Sequence, residues 1–177
     1  MSSRRVFAGV GAAAFLVGAL LWLASRPAPP APPAGVAPAA LFAASFVDAS
    51  GRPQALGQFQ GKLVVLNFWA TWCAPCREEM PAFTRLQSRW AHRNVQFVGL
   101  SGEEPSQVAE YAKTIGVNYP LWTGGDSVAD LSRRLGNHLG VLPHTAILAP
   151  DGRVLDRRVG PYSEKDLEER LSAFSSN

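Results

Sequence analysis

Two cysteines stand two residues apart in Trp72-Cys73-Ala74-Pro75-Cys76, and this 177-residue chain has no others. Ahead of them runs Leu63-Val64-Val65-Leu66-Asn67-Phe68-Trp69. Lys62 to Ala70 is apolar on both faces, as a central strand of a covered sheet should be, with Asn67 as the one polar exception. Behind them, Arg77 to Arg93 has helical spacing, with Pro81 expected to kink it. The pair therefore falls at a strand-to-helix turn, with Cys73 at or near the helix N-terminus. There the helix dipole and the unpaired backbone N–H groups favour an anion and lower a thiol pKa. Two cysteines are too few for a disulfide scaffold, and a bond across so short a ring constrains the unfolded chain little. The spacing points to a dithiol/disulfide exchange centre.

The remaining segments supply the layers around that strand. Phe42 to Asp48 reads as a strand and Ala49 to Pro53 as a turn, with Gln54 to Gly61 leading into the central strand. Val95 to Ser101 is a second buried strand. Ser106 to Ile115 is a helix stopped by Gly116, and Tyr119 to Thr123 is a short extended piece. Ser127 to Leu135 is another short helix. Thr145 to Ala149 and Val154 to Val159 make a hairpin about Pro150-Asp151-Gly152-Arg153, and Ser163 to Phe174 closes as a helix with an N-cap-like start. An N-terminal hairpin followed by the order βαβαβαββα implies an α/β sandwich with parallel strands and a C-terminal antiparallel hairpin.

On the helix after Cys76, Phe83, Leu86 and Trp90 lie at about +40°, −20° and +20° from Glu79, at 100° per residue. Glu79 is thus centred on the apolar stripe, with Cys76 about 60° away and one turn earlier. A carboxyl there is partly desolvated, its pKa rises, and it suits a group that accepts the proton of Cys76. The competing reading is a glutamate that bends out to solvent or answers the helix dipole. Glu103-Glu104, Arg133-Arg134 and Arg157-Arg158 read as solvated faces. Trp69 reads as core or as a shelf beneath the sulfurs, and Trp72 as a partly exposed rim residue in contact with substrate.

Residues 1–26 read as a membrane anchor or signal peptide. A short basic start is followed by Val6 to Ala24, which carries no charge and approaches the roughly 20 apolar residues that span a bilayer. The arginines on the N-terminal side orient the remainder of the chain across the membrane. Two readings compete. A cleaved signal peptide has a shorter apolar core and a small-x-small exit, which Trp22-Leu23-Ala24 does not provide. Ser3-Arg4-Arg5-Val6-Phe7 also resembles a twin-arginine export signal. Residues 27–40 are rich in Pro and Ala and read as an extended linker, with the folded domain over 41–177. The net charge of +3 is matched by Arg4, Arg5 and Arg26 around the apolar stretch, so the rest of the chain balances and offers no nucleic-acid surface.

Asn67 through Pro81, in the form Asn-Phe-Trp-Ala-Thr-Trp-Cys-Ala-Pro-Cys-Arg-Glu-Glu-Met-Pro, resembles the active-site segment of thioredoxin-fold reductases of the TlpA/ResA type. The likeness extends over residues 41–177 and includes Gly140-Val141-Leu142-Pro143-His144-Thr145 and Asp151-Gly152. It implies a thioredoxin-like fold with a mixed central sheet flanked by helices, an N-terminal hairpin and a central insert over Ser101 to Asn137. The resemblance makes Cys73 the attacking and Cys76 the resolving cysteine, and matches Glu79 to the acid three positions after the second cysteine. It also makes Pro143 a cis proline opposite the dithiol, with the backbone around it, Leu142 included, pairing with an extended substrate. Two departures stand out. Asn67 replaces the buried aspartate of thioredoxin, which leaves Glu79 as the proton-handling candidate, and Ala74 stands where some relatives place an acid.

The function that the resemblance implies is a thiol:disulfide oxidoreductase of the periplasmic or extracytoplasmic side, without a cofactor, that reduces disulfides of substrate proteins. Substrates of this kind are apocytochrome c or copper-site cysteines in respiratory assembly. A membrane thiol-relay protein would re-reduce it. The same chemistry run towards oxidation or isomerisation is the alternative, although Ala74-Pro75 lacks the histidine usual between the cysteines of strong oxidants. A Cu(I)-binding module is a third reading. The two thiolates could hold Cu(I), whereas a tetrahedral zinc site would need further ligands; of His92, His138 and His144, only His144 could face the dithiol, and its place beside a substrate-binding backbone explains it as well.

Overall fold

Strand β3 (Leu63–Trp69) is buried along its whole length and stands near the middle of a seven-stranded sheet. The computed structural model describes residues 36–175. The elements in chain order are α1 (Pro38–Phe42), β1 (Ser45–Asp48), β2 (Pro53–Ala55), β3, α2 (Ala74–Trp90), β4 (Val95–Ser101), α3 (Pro105–Ile115), β5 (Leu121–Thr123), α4 (Asp126–Arg134), β6 (His144–Leu148), β7 (Val154–Val159) and α5 (Glu164–Ser175). Short 3-10 turns cover Leu56–Phe59 and Ala91–Arg93.

The sheet order is β2-β1-β5-β4-β3-β6-β7. β3, β4 and β5 are parallel neighbours, while β1 pairs antiparallel with β5, and β6 antiparallel with β3. The hairpins β1–β2 and β6–β7 close the two edges. This is the expected mixed α/β arrangement. The segment 101–137 carries α3, β5 and α4, and its strand β5 is what joins the N-terminal hairpin to the rest of the sheet.

Side-chain alternation sorts the core into two layers. Leu63, Val65 and Trp69 of β3 and Val95 and Phe97 of β4 face α2, α3 and α5, where Met80, Phe83, Leu86, Val108, Leu167 and Leu171 meet them. Val64, Leu66 and Phe68 of β3 and Val98 and Leu100 of β4 face α1 and α4, against Leu41, Val128 and Leu131. Asn67 belongs to the first face and His144 to the second, because β6 pairs Thr145 with Asn67 and His144 with Phe68.

Several boundaries differ from the sequence expectation. Phe42 ends a helix rather than opening a strand, and β1 begins only at Ser45. The helical start at Pro38 lies inside the stretch read as linker. It has a tertiary cause: Leu41 is fully buried, and Pro38 and Phe42 close over Gly152 in the β6–β7 turn. α2 begins at Ala74, ahead of Arg77, since Cys73 itself is the N-cap, and Pro81 lies within the helix without ending it. The stretch 1–26, read as a membrane anchor or signal peptide, and the linker ahead of residue 36 lie outside the described residues. Among the described residues, no helix is long and apolar enough to cross a membrane.

One close contact fixes how Trp69 leaves the sheet. A Cβ on Gly99 would lie 2.6 Å from Leu121 Cδ2 and 3.0 Å from Trp69 Nε1. Trp69 and Leu121 are both buried, so neither can move aside freely. Gly99→Ala should therefore destabilise the domain by about 1–3 kcal/mol, the usual range for overpacking. Urea unfolding measures this, and an unchanged midpoint would show that the Trp69 shelf tolerates a methyl group.

Candidate functional site

The site begins where β3 runs out. After Trp69 the chain turns through Ala70-Thr71-Trp72, and Cys73 N–H donates to Ala70 O at 3.1 Å. Cys73 is in extended conformation (φ −81°, ψ 102°) and caps α2, its Sγ accepting the Cys76 N–H at 3.3 Å. Pro75 lies in the first helical turn, where the N–H it lacks would have no helical partner. The two sulfurs are bonded at 2.00 Å, with the Cα atoms 5.3 Å apart. Cys76 is fully enclosed (0% exposed) and Cys73 is the outer of the two at 5%, while Trp72 stands out at 71%. The outer sulfur thus occupies the helix N-terminus, where a thiolate is favoured.

Behind the disulfide is Glu79, at 3% exposure on the buried stripe of α2. Both carboxyl oxygens are engaged. Asn67 Nδ2 donates to Oε1 at 2.8 Å, and Tyr162 N–H donates to Oε2 at 3.0 Å. Asn67 Nδ2 also donates to Thr145 Oγ1 at 3.1 Å. One carboxyl therefore connects α2, β3, β6 and the segment before α5. Burial pushes it up to about 7, against the opposing pull of the Tyr162 N–H, the Asn67 amide and the charge of Arg158. A group poised there exchanges a proton readily near neutrality.

The register places β6 at the same end of the sheet as the dithiol turn, since His144 lies level with Phe68 and Pro143 one step beyond. The Leu142–Pro143 peptide bond is cis. Leu142 is half-buried and borders both apolar layers, the first of which includes Cys73 and Cys76. Between this loop, the dithiol turn and α4 opens an apolar cavity of about 300 Å³, walled by Phe68, Trp72, Leu100, Val128 and Leu142, with Ser132 among its few polar groups. The structure thus brings Trp72 and Leu142 to one cavity and sets Glu79 behind the disulfide on the α2 face.

Two features escaped the sequence. Glu103 is not part of a solvated face. It accepts from Thr71 N–H at 2.7 Å, from Thr71 Oγ1 at 2.5 Å and from Ser101 Oγ at 3.0 Å, and so pins the turn that leads into Cys73. The signal lies in the parallel register: Trp69 is level with Ser101, so the connections after β3 and β4 emerge side by side. The second feature is His144, which does not face the dithiol. It stacks on Phe68 with ring centroids 5.1 Å apart, on the opposite face of the sheet, and meets Ser132 Oγ at 3.0 Å. Its burial, with Arg157 adding to the effect, depresses its pKa to about 4. His92 and His138 are exposed. Among the described residues no group of three or more His, Cys, Asp and Glu could hold a metal ion.

The chain is similar to known proteins across the same region. Residues 36–157 match the AhpC/TSA family. The thioredoxin-like protein YneN of Bacillus subtilis (strain 168) is 36% identical over 131 residues, covering 72% of this chain and 74% of that protein. The thiol-disulfide oxidoreductase ResA of Geobacillus thermodenitrificans is 31% identical over 130 residues, covering 72% and 71%. A thiol:disulfide interchange protein of the thioredoxin family from Chlorobium tepidum TLS, known from its crystal structure, superposes with a TM-score of 0.64 at 31% identity, over 75% of this chain and 92% of that one. With a paired Cys-x-x-Cys at the start of α2 and this kinship, the chain belongs to the AhpC/TSA family as a TlpA/ResA-like thiol:disulfide oxidoreductase of thioredoxin fold.

Proposed function

We propose that the Cys73–Cys76 pair works in the reducing direction on disulfides of extracytoplasmic proteins. The observation that carries this reading is Glu79, buried one turn behind Cys76 and titrating near 7. A dithiol is oxidising when its reduced, thiolate-bearing form is stabilised. Ala74 and Pro75 add neither a charged nor a donating side chain between the cysteines, and an ionised Glu79 disfavours a second negative charge at Cys76. The helix N-terminus favours the Cys73 thiolate, but nothing between the cysteines adds to that and Glu79 opposes charge at Cys76, so the reduced form gains less than in a strong oxidant and the pair gives its electrons away.

In the proposed cycle the Cys73 thiolate attacks a substrate disulfide, forms a mixed disulfide and expels one substrate thiolate. Glu79 takes the proton of Cys76. The Cys76 thiolate then attacks Cys73 Sγ, closes the 73–76 disulfide and releases the second substrate thiolate. Two electrons pass to the substrate, and a dithiol donor returns them. Trp72 forms the rim, while the Leu142 backbone and Pro143 hold the substrate segment extended. Residues 1–26 support a membrane location with the domain on the periplasmic side, either anchored or released by cleavage, and a membrane thiol-relay protein as the donor. The resemblance to the TlpA/ResA group supports apocytochrome c or copper-site proteins as substrates, within cytochrome c biogenesis.

The direction is tested by the reduction potential of the 73–76 couple. A value near about −270 mV is expected, and one near about −120 mV would make the protein an oxidant. Cys73→Ser should abolish disulfide reduction, and Cys76→Ser should accumulate the substrate as a mixed disulfide. Full activity of Cys73→Ser would overturn the cycle.

Glu79 also leaves a mark on stability. Its carboxyl goes from 4.5 in the unfolded chain to about 7 in the oxidised fold. Between these values the unfolded chain releases a proton that the native state keeps, so stability falls as pH rises, by about 3 kcal/mol, and is level above. His144 has the opposite sign. Lowered from 6.5 to about 4, it makes stability rise with pH between those values. The two slopes overlap and largely cancel in the wild type. The stability difference between wild type and Glu79→Gln isolates the carboxyl: it should decline by about 3 kcal/mol between pH 4.5 and 7, while the one hydrogen bond that a glutamine cannot accept, from Asn67 or from Tyr162, adds a pH-independent offset. Urea unfolding of the oxidised protein across pH reads this, and a difference constant with pH would place Glu79 at an ordinary carboxylate value.

A further inference from the structure

The loop that delivers Pro143 hangs from α4 by one side chain. Asn137 is 2% exposed and sits three residues past the end of α4. Its carboxamide brackets residue 141: Val141 N–H donates to Oδ1 at 3.1 Å, and Nδ2 donates to Val141 O at 2.8 Å. Nδ2 also donates to Ser132 Oγ at 3.0 Å, which ties the loop to α4. The Gly140 N–H closes back on Asn137 O at 3.2 Å. Gly136 (φ 102°) and Gly140 (φ 65°) take the left-handed conformations that so short a return requires. Beyond the proline, Ser132 Oγ meets His144 Nδ1 at 3.0 Å, so the hydroxyl that holds Asn137 also holds the first residue of β6. Because Ser132 Oγ accepts from Asn137, its own hydrogen is free for the neutral imidazole. Leu142-Pro143 is thus fixed from both sides to a single helix position.

This arrangement decides which backbone groups a substrate can meet. Both main-chain groups of Val141 are taken by Asn137, and Pro143 O accepts the Gly160 N–H at 2.8 Å. Leu142 stands between them, at the wall of the cavity beside the dithiol. A substrate strand pairing with this loop therefore finds its partners at residue 142. We infer that Asn137 is a positioning residue for the exchange reaction: by occupying both backbone groups of Val141 it fixes the register at which an extended, disulfide-bearing polypeptide pairs with Leu142. The inference rests on the proposed pairing of substrate with the Leu142 backbone. It is specific to polypeptide disulfides, because a small disulfide has no strand to align.

The test compares two substrates on the full-length protein, reduced beforehand, freed of the reductant and followed through a single turnover at increasing substrate, so that KM and kcat are the half-saturating concentration and the limiting rate. One is an extended peptide carrying a disulfide, the other the small disulfide dithiobis(nitrobenzoate). Asn137→Ala should raise KM for the peptide about tenfold with kcat unchanged, while the rate with the small disulfide and the reduction potential stay within about twofold and a few millivolts of wild type. Ser132→Ala, which keeps the Asn137 bracket but loosens its anchor, should raise the peptide KM about threefold and serves should Asn137→Ala fold poorly. Amide exchange at Val141 reports the bracket without reference to activity, and should accelerate strongly in Asn137→Ala. Faster Val141 exchange with an unchanged peptide KM overturns the inference, and so does an equal loss on both substrates, which would mean that the dithiol itself was disturbed. A wild-type protein that turns over the small disulfide but does not saturate with the peptide would instead remove the pairing at Leu142 on which the inference stands.

Discussion

The hydrogen bonds of the Glu79 carboxyl are the constraint on which the rest of the site depends. A carboxyl inside an apolar layer costs several kcal/mol unless its oxygens find donors. Here the donors come from two directions, the Asn67 amide from the central strand and the Tyr162 N–H from the segment before α5, and the Asn67 amide is itself held by the Thr145 hydroxyl of β6, which accepts from it. Satisfying one side chain therefore sets the positions of α2, β3 and β6 relative to one another. Those three elements carry the cysteines, the turn between strand and helix, and the proline loop. An asparagine at position 67 fits this arrangement better than an acid would, since a second carboxyl beside Glu79 would repel it and could not donate while ionised.

The sheet keeps its two buried titratable groups apart. Glu79 lies against one face and His144 against the other, although their strand neighbours Asn67 and Phe68 are adjacent in sequence. Alternation along β3 is enough to do this. Brought to the same side, an acid titrating near 7 and an imidazole titrating near 4 would form an ion pair and lose both shifts. Separated by the sheet, each answers to burial alone as its main influence. His144 stays neutral and serves the loop, while Glu79 remains able to change charge near neutral pH.

What the sequence reveals here follows a physical line. The continuous apolar run before Cys73, the helical stripe after it and the order of the elements are local patterns, and they place the sheet, its layers and the dithiol turn. Glu79 is legible because helical spacing alone puts it on the stripe. The start of α1 at Pro38 is not legible, since the Pro/Ala composition favours an extended chain and only contact with Gly152 in a distant turn makes the helix worthwhile. Glu103 reads as surface for the same reason. Its partners, Thr71 and Ser101, reach it through a parallel strand register that only pairing establishes. Asn137 looks like ordinary loop polarity until the return at Gly140 brings Val141 back onto it.

The two cysteines stand in different electrostatic settings, although a single turn of helix carries both. Cys73 is the cap, so its sulfur receives the Cys76 N–H and the positive end of α2. Cys76 is inside the first turn and fully enclosed, with Glu79 one turn further along the same side. A negative charge is therefore stabilised at the outer sulfur and opposed at the inner one. The proposed cycle uses this difference, with the attacking thiolate assigned to the outer sulfur and the resolving thiol to the inner one. Glu79 is the only buried carboxyl among the described residues, and a titration near 7 suits it to the proton-accepting role proposed for it behind Cys76. The proposed order of attack and resolution rests on where helix α2 begins and on which residue stands one turn behind its second cysteine.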